Sequence, residues 1–213
     1  MFDWPNSQEK ATNLLELSAA YLYKDILDLL NLRHSNKLKD LLRLLAYQLG
    51  NQVSMSELAT KLGMSKETVS HYIDLLEKSF VLFRIGGFSR NLRREMTKMD
   101  KIYFWDLGIR NAVMNNFAPL ELRNDTGQLW ENFLMAERIK FHMNKGDFGK
   151  RWFWGTQTGA ELDLVEEANG ILKGFEFKWK DHKVKQPASW QETYPEASFS
   201  VIHPANFWEF LGV

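Results

Sequence analysis

Apolar residues recur at helical spacing through the first half of the chain and alternate with polar ones through much of the second. Leu14, Leu17, Tyr21, Ile26 and Leu29 predict a helix over Asn6–Leu32, opened by Pro5 and by Asn6 with Glu9 three residues on. A second helix is expected from Ser35 to Leu49, ending at Gly50-Asn51. Ser54 and Glu57 form a capping box for a short helix to Leu62, and Gly63 breaks it. Ser65 caps a longer one over Lys66–Lys78, with Val69, Tyr72, Ile73 and Leu76 on its apolar stripe. Strands are expected at Val81–Ile85 and Lys101–Trp105, then a connector with short helical content over Asp106–Asn124. From Asp125 the order is a helix to about Met143, capped by Asp125, then strands Arg151–Gly155, Glu161–Glu166 and Ile171–Lys178. A helix Val184–Thr193, a strand Ser198–His203 and a helix Ala205–Leu211 follow.

Two helices joined by a tight Gly turn, with Ala59, Gly63 and Val69 at the spacing of DNA-binding helix-turn-helix units, precede two strands with a basic connection. That is the plan of a winged helix. Lys66, Ser70 and His71 lie on its second helix, and Arg90, Arg93, Arg94, Lys98 and Lys101 outnumber the acids of the connection. These residues are nucleic-acid contacts if the wing grips phosphate, and a solvated charged loop otherwise.

The turn Asn169-Gly170 predicts a two-residue hairpin. Its register sets Asp163 opposite Glu176 and Glu161 opposite Lys178, and places all four on one sheet face. Leu162, Leu164, Phe175 and Phe177 then form the packed face. Opposed carboxylates repel, so Asp163 against Glu176 points to a hard divalent cation, Mg²⁺ or Mn²⁺, held between them. Lys178 is placed to position water or to offset charge on phosphate, and Glu131 on the preceding helix is a further carboxylate. The competing reading is a surface hairpin with Glu161 paired to Lys178. Trp152 and Trp154 beside the hairpin read as core or interface packing in preference to base stacking.

Composition narrows the chemistry. The 213 residues contain no cysteine, which removes disulfides, thiolate zinc sites and a Cys nucleophile. The five histidines are scattered, and none makes a His-x-x-x-His pair. Lys+Arg and Asp+Glu are both 27, which argues against a protein that packages nucleic acid through a basic excess. No secretory segment or long apolar run occurs, a pattern expected of a cytoplasmic protein without a membrane span.

With these motifs in view, the chain resembles the C-terminal region of a prokaryotic family of AAA-type ATPases, in which a winged helix precedes a PD-(D/E)XK nuclease-like domain. The resemblance rests on Tyr21–Ile26, Leu44–Ala46, Ser89–Leu92, Lys101–Phe104 with Asp106–Gly108, Gly127–Phe133, Gly159–Val165 and Phe175–Lys178. It implies an α+β or α/β chain in three parts. These are a helical extension over 1–34, a winged helix and connector over 35–122, and a restriction-endonuclease-like αβββαβ domain over 123–213. It also implies that Glu131, Asp163, Glu176 and Lys178 match the metal and catalytic positions of the nuclease superfamily. The resemblance further implies DNA or another nucleic acid, and an ATPase module, as partners. No Gly-x-x-x-x-Gly-Lys-Ser/Thr loop occurs here, so ATP enters only through a missing N-terminal module. Relatives of this fold also serve as non-catalytic interaction modules, and the neutral net charge keeps that alternative open.

Overall fold

A computed structural model describes residues 12–16, 35–90, 99–181 and 184–212. Residues 12–16 are helical, and the rest of the expected helix Asn6–Leu32 lies outside the described residues. Helix α1 (Ser35–Tyr47) is followed by α2 (Met55–Leu62) and α3 (Lys66–Lys78). The Ser54 hydroxyl accepts the Glu57 N–H, and the Ser65 hydroxyl accepts the Thr68 N–H, so both expected caps form. Gly63 takes the left-handed conformation, φ 59°, between α2 and α3.

Strand β1 (Leu82–Gly87) pairs antiparallel with β2 (Lys101–Phe104). Helix α4 (Leu107–Met114) and the long α5 (Thr126–Asn144) come next. Then β3 (Arg151–Gly155), β4 (Glu161–Ala168), β5 (Ile171–Phe177), α6 (Ala188–Thr193), β6 (Ser198–Ile202) and α7 (Phe207–Leu211) complete the fold. Helix α6 starts later than its periodicity predicts because Pro187 stands at its N-cap. Asp125 does not cap α5. Its carboxylate is taken by Arg123 and Arg110, which lie nearby and out-compete a backbone N–H.

The strands form one mixed six-stranded sheet in the order β2-β1-β3-β4-β5-β6. Gly86 and Gly87 of β1 pair parallel with Trp152 and Phe153 of β3, so the first hairpin is joined to the C-terminal strands across the expected boundary at 122/123. Three apolar clusters fill the molecule. The first packs α1, α2 and α3 with Leu82, Ile102, Phe104 and Leu129. The second fills the space between the sheet and helices α5 and α7, from Phe83 and Tyr103 to Leu164, Phe175 and Phe210. The third lies under α6, where Trp190 and Trp154 meet edge to face. Trp154 is therefore core. Trp152 packs against that cluster and meets Phe88 edge to face. Among the described residues no helix is long and apolar enough to cross a membrane.

Candidate metal centre

The hairpin forms in the expected register. Asn169 and Gly170 have φ 53° and 79°, and the pairs run from Ala168↔Ile171 to Leu164↔Phe175. Beyond Leu164 the backbone ladder gives way to a side chain. The Asp163 carboxylate accepts the Phe177 N–H at 2.7 Å. A bulge in β4 produces this change: Val165 pairs with Trp152 and Leu162 with Trp154, so Asp163 and Leu164 together oppose Phe153. Strict alternation is lost there, and the expected packed face is corrected. Leu164, Phe175 and Phe177 pack toward α5 and α7, while Leu162 packs on the other side with Val165 and Trp190.

Two further elements complete the site. Helix α5 brings Glu131, and β2 brings Lys101 and Tyr103, two residues apart on one strand face. The Tyr103 hydroxyl donates to Glu131 Oε1 at 2.6 Å, and Lys101 Nζ stands 3.4 Å from the same oxygen. Lys101 also contacts Glu161 and lies 4.0 Å from Asp163 Oδ1. Lys178 Nζ donates to Glu176 Oε1 at 2.6 Å. Gly50 closes the site from the end of α1. Its φ is +74°, and a Cβ there would sit 2.9 Å from Glu131 Oε2. Glu131, Glu161, Asp163, Glu176, Lys101 and Lys178 all line one cleft of about 420 Å³.

Lys101 does not belong with the basic connection it was counted in. Its side chain is 3% exposed and faces the carboxylates of the cleft. The signal for this placement was present in the sequence. Ile102, Tyr103 and Phe104 are all large and apolar, which marks a strand buried on both faces, and a lysine buried there needs anionic partners.

Burial pushes the Asp163 carboxyl well above its ordinary range, and the charges of Glu131 and Glu176 add to this. Lys101 and the Phe177 N–H pull the other way. Burial also raises Glu131, against the donors Lys101 and Tyr103. For Lys101, burial favours the neutral amine, but Glu131, Asp163 and Glu161 outweigh it and raise its pKa. Burial acts likewise on Lys178, where Glu176 reverses it and the ammonium is kept. Four carboxylates against two ammonium groups leave a formal charge of −2, which one divalent cation neutralises. The donors are oxygen atoms throughout, the chemistry that Mg²⁺ and Mn²⁺ take. Asp163 and Glu176 could hold such an ion. As they stand, the carboxylates are turned to their lysines, and among the described residues no three form a ready ligand group.

Of the expected nucleic-acid contacts, Lys66, Ser70, His71 and Arg90 fall within the described residues. Lys66 and His71 are exposed on α3, and Ser70 beside them is half-buried. Arg90 is exposed and pairs with Glu167 of β4 at 3.4 Å. Arg93, Arg94 and Lys98 lie outside the described residues.

Comparison with known proteins adds the following. Residues 126–205 match the family described as Domain of unknown function (DUF4143). Two curated relatives are each 29% identical over 137 residues: "Uncharacterized protein Rv2008c" from Mycobacterium tuberculosis and "Uncharacterized protein Mb2031c" from Mycobacterium bovis. The matched stretch is 63% of this chain and only 30% of either relative. No solved structure matches the chain. Residues 3–120, more than half of the sequence and including the strand that carries Lys101, match the family described as Domain of unknown function (DUF8612), and the chain belongs to that family.

Proposed function

We propose that the chain is a nucleic-acid-associated module with a divalent-cation-dependent phosphodiesterase site in the cleft between α5 and the β4–β5 hairpin. One observation carries this reading: Glu131, Asp163, Glu176 and Lys178, far apart in sequence, line a single cleft whose formal charge is −2. The order α5-β3-β4-β5-α6-β6 follows the αβββαβ plan of PD-(D/E)XK nucleases, and α2–α3 with the β1–β2 hairpin follow that of a winged helix. Both likenesses support the reading.

Asp163 and Glu176 would hold Mg²⁺ or Mn²⁺, which would supply positive charge for a phosphodiester. The residues do the rest. The Phe177 N–H fixes the Asp163 carboxylate against rotation. Lys178 keeps its proton beside Glu176 and offers an ammonium to the phosphate, so it serves as a charge donor and not as a base. Tyr103 and Lys101 hold the Glu131 carboxylate in place. The chain spans about a third of the length of its curated relatives. An AAA-type ATPase module, in the same or a partner chain, is the proposed source of ATP chemistry.

A second reading has an observation of its own. Lys101 already neutralises part of the acidic cleft, as a non-catalytic interaction module built on a nuclease-like fold would require. Cleavage of plasmid, linear duplex and single-stranded DNA with Mn²⁺ or Mg²⁺ separates the two. Wild type is expected to cleave, and Asp163→Ala and Lys178→Ala to lose roughly 10²-fold or more. Equal activity in all three proteins refutes the catalytic assignment. An inactive wild type favours the interaction module.

A further inference from the structure

Lys101 is an unusual occupant of an acidic cleft. It does not belong to the hairpin that carries Asp163 and Glu176, and its strand β2 is buried at all four residues. Its backbone is pinned on both sides. Ile85 pairs with it across the β1–β2 ladder, and Gln52 bridges to it from the loop after α1. Next to it the Val53 N–H donates to the Asp100 carbonyl at 2.8 Å. The ammonium also lies over the Phe153 ring, 5.4 Å from its centroid. The Lys101 backbone is thus held within the covered edge of the sheet.

Its contacts divide the cleft in two. Lys101 meets Glu161 and, at 3.4 Å, Glu131. Glu176 is paired instead with Lys178. Asp163 stands between, with Oδ1 4.0 Å from Lys101 and Oδ2 on the Phe177 N–H. Hydrolytic sites that use two metal ions hold them ~3.5–4 Å apart. The Lys101 ammonium stands 4.0 Å from Asp163 Oδ1, so an ion bound to that carboxylate would have it as a near neighbour.

We infer that Lys101 is a built-in second cation: the cleft takes one divalent ion on Asp163 and Glu176, and the Lys101 ammonium fills the second position between Glu131 and Glu161. The inference rests on the proposed cation site and goes beyond it by fixing its stoichiometry. Charge supports the count. With both lysines charged, one divalent ion brings the six groups to neutrality. A second would leave +2 in a largely buried cleft, which is costly.

The test is Mn²⁺ binding to the full chain, by isothermal titration calorimetry and by loss of the free-ion electron paramagnetic resonance signal. Wild type is expected to bind one equivalent. Lys101→Met removes the charge and keeps an unbranched side chain, and is expected to bind two, the second more weakly. Lys101→Arg retains a cation and is expected to stay at one. Glu161→Gln keeps one equivalent and loses less affinity than Glu176→Gln, because Glu161 contacts Lys101 and not the ion. Glu176→Gln loses affinity by roughly tenfold or more, since a charged oxygen ligand is gone. Two equivalents in wild type overturn the inference, as does a single equivalent of unchanged affinity in Lys101→Met. Either result leaves the proposed cation site standing. A wild type that binds no Mn²⁺ overturns both. If Lys101→Met does not fold, the wild-type count and the contrast between Glu161→Gln and Glu176→Gln decide: equal losses in the two sink the division of the cleft.

Discussion

Asn132 joins the two halves of the chain at the candidate site, and its replacement gives the sharpest test of how that site is held. It follows Glu131 on α5 and is fully buried. Its amide oxygen accepts the Phe104 N–H at 2.7 Å, and its amide nitrogen donates to the Phe104 carbonyl at 2.8 Å. The side chain therefore acts as one residue of a further strand, closing the outer edge of β2 where no strand follows. Asn132→Leu keeps the branched skeleton, with bulkier methyl ends, and satisfies neither group. An unsatisfied buried polar group costs ~1–3 kcal/mol, and the lost amide no longer needs burial itself, so a net loss of about 3 kcal/mol is expected. For a chain of this length that is a fall in melting temperature of roughly 6–12 °C.

Asn132→Asp separates the two bonds. A carboxylate can accept the Phe104 N–H but repels the Phe104 carbonyl, whereas a neutral carboxyl can satisfy both. The folded pKa of the new acid is expected to lie above its unfolded value. Its contribution is then fully present below the unfolded pKa and is lost as pH rises through the folded one. Urea unfolding of the three proteins between pH 5 and 8 provides the measurement, with the aromatic-rich core as a fluorescence probe. Asn132→Leu within about 0.5 kcal/mol of wild type would show that the paired amide carries no net stability. An Asn132→Asp protein whose deficit does not grow with pH would refute the account of the two bonds.

Two further substitutions probe the scaffold. The Asp125 carboxyl is held at about 2, first by hydrogen bonds from Arg123 and then, against the effect of burial, by those from Arg110. Being depressed, it contributes stability above its ordinary value that is lost as pH falls through about 2. Asp125→Asn should cost about 1–2 kcal/mol at neutral pH after allowance for solvent screening. In urea titrations its deficit should shrink below pH ~4, and a deficit that is constant down to pH ~2 contradicts the pairing. Gly174 lies where β5 passes beneath Leu162 and Trp190, and a Cβ would sit 2.7 Å from Leu162 Cδ1 and 3.3 Å from the Trp190 ring. Gly174→Ala should therefore destabilise by about 1–3 kcal/mol through overpacking; an unchanged melting temperature would mean that this side of the sheet is loosely filled.

What was legible in the sequence was local. Ser54 and Ser65 cap as their spacing indicates, because the partners lie three residues away. The Asn169-Gly170 turn fixes its own register, because both residues accept the left-handed backbone that the turn needs. What was not legible depends on segments that meet only after folding. The β4 bulge arises from the fit of β4 against β3, and it moves Leu162 away from the face that alternation assigns to it. Glu131 reads as an ordinary helical glutamate until Tyr103 and Lys101 arrive from a strand some thirty residues earlier. Lys101 was counted with its basic neighbours because a charge run is read along the chain; the apolar run Ile102–Phe104 marks its burial, but its carboxylate partners are set only by what β2 meets after folding.

The same reasoning bears on where the site belongs. The two family matches part between residues 120 and 126, yet none of the three apolar clusters respects that division. Leu129 packs into the helical cluster of the first half, and Phe83, Ile85 and Tyr103 pack beneath α5 in the second. The β1–β3 pairing carries the sheet across, and Asn132 fastens α5 to β2. Each join has a direct consequence for the cleft. The first sets β2 within reach of β4, so that Lys101 meets Glu161. The second fixes Glu131 one residue from a rigid contact, so that Tyr103 finds its carboxylate. A hairpin alone would present Asp163 and Glu176 to water as two repelling carboxylates. Set against β2 and α5, the same pair lies in a cleft with fixed donors, a fixed cation and a defined residual charge. The acidic cleft is therefore a property of both halves together, and the DUF8612 half supplies the ammonium that offsets part of its charge.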